Sequence, residues 1–242
     1  MLILNLGCGT RTALHPDVLN VDWSVSIRIR KSRLLRLAVA PLLDAPRRER
    51  LDQMAGKLLA HDLSKGIPFE SDSVDIVYHS HVLEHLDRPV AERFLAEIRR
   101  VLKPAGICRI VVPDFESLCR AYVDHVNRSS CEPQAAAAHE DYVAAVLEQS
   151  VRREAAAARG RRGLALLVEN ILLGDARRRG ETHQWMYDRI SLPHILTTLG
   201  YRNVTVESFA SSRIPGWHEV GLDRNAEGDE YKPGSLYVEA QK

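Results

Sequence analysis

The stretch from Leu2 to Asp22, LILNLGCGTRTALHPDVLNVD, constrains this chain more than any other. Leu2-Ile3-Leu4-Asn5-Leu6 is a short apolar run that suits a buried strand. It breaks into Gly7-Cys8-Gly9-Thr10, and a second apolar run, Val18-Leu19-Asn20-Val21, closes on Asp22. The pattern is a strand, a turn almost bare of side chains, and a second strand that ends in a carboxylate. Glycines reach dihedrals closed to other residues and let a ligand lie against main chain. A carboxylate at the tip of the next strand can accept two hydrogen bonds from a ribose diol. These residues therefore predict a nucleotide-type cofactor pocket at the carboxyl ends of parallel strands. The dinucleotide fingerprint needs a third glycine where this chain has Thr12, which disfavours NAD and FAD. Only about a dozen residues separate Gly9 from Asp22, and His15-Pro16 falls among them. A full helix and a strand do not both fit there, so a loop or single turn is expected after the glycines.

The rest of the chain reads as alternating strands and helices. Val74 to His79 is a good strand, and Ile107 to Val112 another. Between them, Ala91, Phe94, Leu95, Ile98, Val101 and Leu102 recur at helical spacing after Asp87, an N-cap candidate. Lys103-Pro104-Ala105-Gly106 ends that helix. Ser191 to Leu199 is a short helix, and Val204 to Phe209 and Ser235 to Ala240 are the last strands. This alternation predicts an α/β fold with a mostly parallel sheet covered on both faces, and the loop-connected final pair predicts an antiparallel edge.

Two segments stand apart by charge. Residues 24–58 hold nine Lys/Arg against three acids, and 151–180 eight Arg against three acids. The whole chain carries only +1, so the remainder is acidic and the positive charge sits in what read as helical additions. Pro41, between the two charge clusters of the first segment, breaks or kinks any helix there. The expected organisation is a single domain over 1–242, with basic helical insertions at about 24–58 and 115–180. Met1 leads into a strand without a charged n-region, and no apolar run approaches the roughly 20 residues of a membrane span. The four cysteines contain no C-x-x-C pair and read as free thiols. Both observations predict a cytoplasmic protein.

Several separated pieces together resemble the class I S-adenosylmethionine-dependent methyltransferases. They are Leu4-Asn5-Leu6-Gly7-Cys8-Gly9, Asp22 after a strand, Asp62-Leu63, Phe69 through Asp75, Ser80-His81-Val82-Leu83-Glu84-His85, and Leu102-Lys103-Pro104-Ala105-Gly106. The resemblance implies a Rossmann-like three-layer sandwich whose mostly parallel seven-stranded sheet has an antiparallel C-terminal strand. It implies S-adenosyl-L-methionine as cofactor and S-adenosyl-L-homocysteine as product. Asn5, Gly7, Cys8 and Gly9 would lie against its methionine and ribose, Asp22 on the ribose hydroxyls, and Asp62 with the Leu63 amide on the adenine. His79, Ser80 and His81 would line the pocket below the sulfonium.

Transfer to a hydroxyl needs a base. His81 is the first candidate, with His183 and Tyr187, in His183-Gln184-Trp185-Met186-Tyr187-Asp188, behind it. The same stretch also reads as an aromatic anchor, and Asp114 as an acceptor-side residue or a helix cap. His81, Glu84 and His85 share one face at i, i+3 and i+4 and have metal-ligand chemistry. Local pairing of Glu84 and packing of His85 is the preferred reading, so no metal is expected.

The expected acceptor is a small molecule, saccharide or lipid-linked species, methylated on oxygen or nitrogen. The basic segments read as solvated faces, as a peripheral membrane or anionic-acceptor surface, or as a nucleic-acid surface. Against the last, no aromatic stacking platform accompanies them, and no stable nucleic-acid partner is expected. A cofactor-binding scaffold without turnover and a nucleic-acid methyltransferase are the competing functions. The sequence is silent on oligomeric state.

Overall fold

The structure is a computed structural model that describes residues 1–34, 37, 45–131, 138–150 and 183–242. The arginine run at 151–180 and the apolar stretch around Pro41 lie outside the described residues.

Seven strands form one sheet in the order β3-β2-β1-β4-β5-β7-β6. They are β1 (Ile3–Leu6), β2 (Val18–Asp22), β3 (Lys57–Ala60), β4 (Val74–Ser80), β5 (Leu102–Pro113), β6 (Arg202–Glu207) and β7 (Ser235–Gln241). Strands β1 to β5 pair in parallel, and β7 runs antiparallel to both neighbours, β5 and β6. The C-terminal strand therefore slots inside the sheet and leaves β6 on the rim. Lys103 to Gly106 belongs to an irregular start of β5, with Ala105 at φ +66°.

Among the described residues the helices are α1 (Val25–Lys31), α2 (Ala45–Gln53), α3 (Arg88–Val101), α4 (Phe115–Cys131), α5 (His139–Ser150), α6 (Ser191–Thr198) and the single turn α7 (Trp217–Val220). On α3 the predicted apolar stripe is the buried one, Ala91, Phe94, Leu95, Ile98 and Val101, and it packs with α6 against Leu4, Leu6 and Val77. The opposite face carries Ile3, Ile76 and Tyr78 and is covered by the segment from Ile214 to Leu222, with Trp217 at its centre. A third cluster, Cys8 with Ile27, Ile29, Leu51 and Met54, attaches α1 and α2 beside the glycine turn.

Residues 10–15 contain no helix. The loop is held instead by a buried amide pair: Asn5 Nδ2 donates to Asn20 Oδ1 at 2.9 Å and to the Arg11 carbonyl at 3.0 Å. Asn20 also exchanges bonds with the Ala13 amide and carbonyl at 3.0 and 3.1 Å.

Candidate active site

The parallel strands end together, so the turns after β1, β2, β3 and β4 share one rim of the sheet. A cleft of about 210 Å³ opens there, lined by Asn5, Gly7 to Arg11, Tyr78, Ser80, His81, Tyr231 and Lys232. Both turn glycines sit at positive φ, +64° for Gly7 and +52° for Gly9. A Cβ on Gly7 would meet Val82 Cγ2 at 2.5 Å, whereas one on Gly9 would enter open space. Gly7 thus lets the turn close on Val82, and Gly9 leaves bare main chain towards a ligand.

Asp22 ties the turn down. Its Oδ2 accepts from the Gly9 amide at 2.7 Å and its Oδ1 from the Ser24 amide at 2.6 Å. Each oxygen keeps a second lone pair for a ribose hydroxyl. Asp62 stands after the neighbouring strand, where the His61 amide donates to the Asp22 carbonyl at 3.1 Å. Its Oδ1 caps a 3-10 turn over Leu63–Lys65 through the Ser64 amide and hydroxyl, and the hydroxyl contact holds the carboxyl below the usual range. Asp22, Asp62 and Leu63 lie outside the cleft lining, along the same rim. Cys8 contributes backbone to the cleft, but its thiol is buried among α1 and α2 side chains, and burial pushes its pKa up.

At the other end stands His81, a non-glycine residue at φ +53°. Its Nδ1 lies 3.1 Å from Glu84 Oε1 and its Nε2 3.0 Å from Ser235 Oγ. Glu84 is completely buried on a 3-10 turn, Leu83–His85. Burial pushes its carboxyl up, but the His81 contact and the charges of His81 and His85 outweigh that and hold it ionised. Burial pulls the Lys232 ammonium down, against the attraction of Glu84.

Three further expected site residues lie outside the cleft lining. His79 does not line the cleft. Successive strand residues face opposite sides, so Tyr78 and Ser80 reach the cleft while His79 is buried against Phe94, with ring centroids 5.4 Å apart. Tyr187 is core, 2% exposed, and bridges Asp114; burial pushes its pKa up, so the hydroxyl stays protonated and cannot take a proton from an acceptor. His183 lies outside the cleft lining, with Nδ1 on the Gln149 carbonyl at 2.6 Å and its ring 4.9 Å from that of His85. Asp114 is a helix cap, accepting from the Glu116 and Ser117 amides.

Sequence reasoning overlooked Arg11, Tyr78, Tyr231 and Lys232. Arg11 donates to the Gly221 carbonyl at 2.7 Å and to the Arg224 carbonyl, and stacks 4.2 Å from the Tyr231 ring centre, so it clips the C-terminal loop onto the cleft. The turn-forming Lys232-Pro233-Gly234 before the last strand was the available signal.

The model of the methyltransferase domain family matches residues 32–110. Among solved structures, the chain is similar to S-adenosylmethionine-dependent methyltransferases from three organisms. For Methanosarcina mazei the identity is 15%, over 99% of this chain and 91% of that one, with a TM-score of 0.48. For Archaeoglobus fulgidus it is 15%, over 99% and 85%, with a TM-score of 0.44. For Mesorhizobium loti it is 15%, over 100% and 90%, with a TM-score of 0.43. No curated protein matches the chain. The family match covers a third of the chain, and the strand order is the mostly parallel seven-stranded sheet with an antiparallel C-terminal strand that the sequence resemblance implies. The cofactor that this likeness implies is S-adenosylmethionine, with S-adenosylhomocysteine as product.

The open main chain at Gly9 and the adjacent carboxylate fit that cofactor. Replacing Asp22 with alanine removes acceptors from two amides and from the ribose side. A fall in S-adenosylhomocysteine affinity of at least about tenfold is expected, roughly one charge-assisted hydrogen bond. Calorimetric titration checks it, and unchanged affinity removes Asp22 from the site.

Proposed function

We propose that this chain is an S-adenosylmethionine-dependent methyltransferase that acts on a hydroxyl of a small saccharide or lipid-linked acceptor, with His81 as general base. The observation that carries the reading is the His81–Glu84 pair at the cleft. A buried carboxylate 3.1 Å from Nδ1 favours the tautomer protonated there, and Nε2 becomes the basic nitrogen once the acceptor hydroxyl takes the place of Ser235 Oγ, which sits 3.0 Å from it and donates to the Lys232 carbonyl. A neutral amine acceptor has a lone pair ready and gains less from such a base than a hydroxyl does.

The cofactor, when bound, supplies a methyl group activated by the sulfonium. The acceptor oxygen forms its bond to that carbon as the carbon–sulfur bond breaks. The hydroxyl proton passes to His81 Nε2, and Glu84 stabilises the resulting imidazolium. Gly7 to Thr10, Asp22, Asp62 and Leu63 hold the cofactor, and Ser80, Tyr231 and Lys232 shape the acceptor end. In this reading residues 1–242 act as one catalytic domain.

A second observation favours a lipid-linked acceptor. Trp23, Val25, Leu34 and Leu37 are exposed beside Arg28, Lys31 and Arg33, an apolar-and-basic surface suited to the face of a membrane. Among the described residues no helix is long and apolar enough to cross one.

The test is transfer of labelled methyl to hydroxyl and amine acceptors by wild type and His81→Ala. The variant should lose about a hundredfold in kcat, at the low end for a positioned base, while its S-adenosylhomocysteine affinity holds. Unchanged kcat overturns the role of His81. Cofactor binding without turnover on any acceptor supports the scaffold reading, and steeply salt-dependent RNA or DNA binding supports the nucleic-acid reading.

A further inference from the structure

Behind His81, Glu84 meets two imidazoles that the methyl-transfer chemistry leaves unused. The 183–186 segment docks on the turn after β4: the Gln184 and Trp185 amides donate to the Glu84 carbonyl at 2.6 and 3.3 Å. This brings His183 to Glu84 and His85, 99 and 98 residues away in sequence, with one ligand atom of each within 4.8 Å of the others. We propose that Glu84, His85 and His183 bind one divalent transition-metal ion of the zinc type.

Three observations support the site independently. Glu84 is completely buried, and neither carboxylate oxygen accepts a well-aligned hydrogen bond, although His81 Nδ1 and His85 Nε2 lie 3.1 and 3.8 Å from Oε1. A buried carboxylate in that condition is costly unless a cation completes it. His183 donates Nδ1–H to the Gln149 carbonyl, which fixes the tautomer and leaves Nε2 free. A second-sphere carbonyl on the far nitrogen is the usual support of a metal-bound histidine. The donor set of two imidazoles and one carboxylate suits zinc and its neighbours rather than magnesium or calcium.

Three protein ligands leave at least one position open to water or another ligand. The ion would stand across a single carboxylate from His81 and would fasten the 183–186 segment to the cleft wall. His81 faces the same carboxylate but is not among the ligands.

The experiment is titration of EDTA-stripped full-length protein with zinc chloride, followed by calorimetry, with cobalt(II) absorption as a second readout. One ion per chain is expected. His183→Ala and Glu84→Gln should each weaken binding by about a hundredfold and abolish the cobalt bands, with S-adenosylhomocysteine binding retained as the check on folding. His81→Ala should keep the ion at full stoichiometry. Absence of saturation at one equivalent overturns the site, as does undiminished binding in folded His183→Ala. Neither acceptor nor turnover enters the titration, so its outcome is separate from that of the base assignment.

Discussion

Replacing Arg109 with leucine should destabilise the fold by about 3–5 kcal/mol, the usual cost of breaking a buried ion pair by removing one partner. Arg109 is completely buried in β5. Its Nε donates to Asp223 Oδ2 at 2.8 Å and one terminal nitrogen to Glu239 Oε1 at 2.6 Å. The guanidinium also reaches the Ser208 and Ser211 carbonyls at 2.8 and 3.1 Å and packs against Trp217 and Tyr237. Leucine strands two buried carboxylates and two carbonyls. Asp223 retains the Tyr78 hydroxyl and Trp217 indole donors at 2.8 and 2.6 Å, but no counter-charge. For a chain of this size the melting temperature should fall by roughly 6–20 °C. Adding Asp223→Asn and Glu239→Gln should restore part of the loss, because the cost lies in uncompensated charge. A loss below about 1 kcal/mol by urea denaturation would contradict this account. The network also fixes the loop from Ser208 to Asp223, which Arg11 clips to the cleft, so cofactor affinity should fall along with stability.

The second large effect is one of pH. Burial pushes His79 down to about 4, against a weaker pull upwards from Glu84. Its unfolded value is about 6.5. The folded pKa is the lower one, so the unfolded chain takes up the proton first. Stability is therefore intact above pH 6.5, falls as pH drops from about 6.5 to 4, and levels off below, a loss of about 3 kcal/mol from this residue. Both ring nitrogens are buried without a hydrogen-bond partner, so the neutral ring is itself poorly served at pH 7. Phenylalanine would keep the edge-to-face contact with Phe94 and carry neither penalty. Urea denaturation of wild type and His79→Phe at pH 7, 5.5 and 4.5 isolates the term. The two curves should converge at no pH in that range and diverge towards acid. Parallel curves would mean that His79 reaches solvent.

The limits of sequence reading show in particular residues. The glycine turn, the stripe on α3 and the shortened loop after Gly9 were legible because each depends on local periodicity or on chain length. The face of His79 was legible too: the two-residue period of β4 separates it from Tyr78 and Ser80, and reading 79 to 81 as one continuous lining overlooked that period. Tyr187 carried no such sign. Its aromatic neighbourhood suits an active site or an anchor, and only packing beneath α6 decided for the anchor.

By itself, the sequence determined the parallel strands, the bare turn, the carboxylates at their tips and the segregation of basic charge, all set by residues within a few positions of one another. The tertiary structure alone decided that β7 enters between β5 and β6, that Arg109 meets Asp223 and Glu239, and that His183 comes to rest beside Glu84 and His85. The β5–β7, Arg109 and His183 contacts span roughly 100 residues or more, where chain connectivity imposes almost no preference and the burial of apolar faces selects the partner.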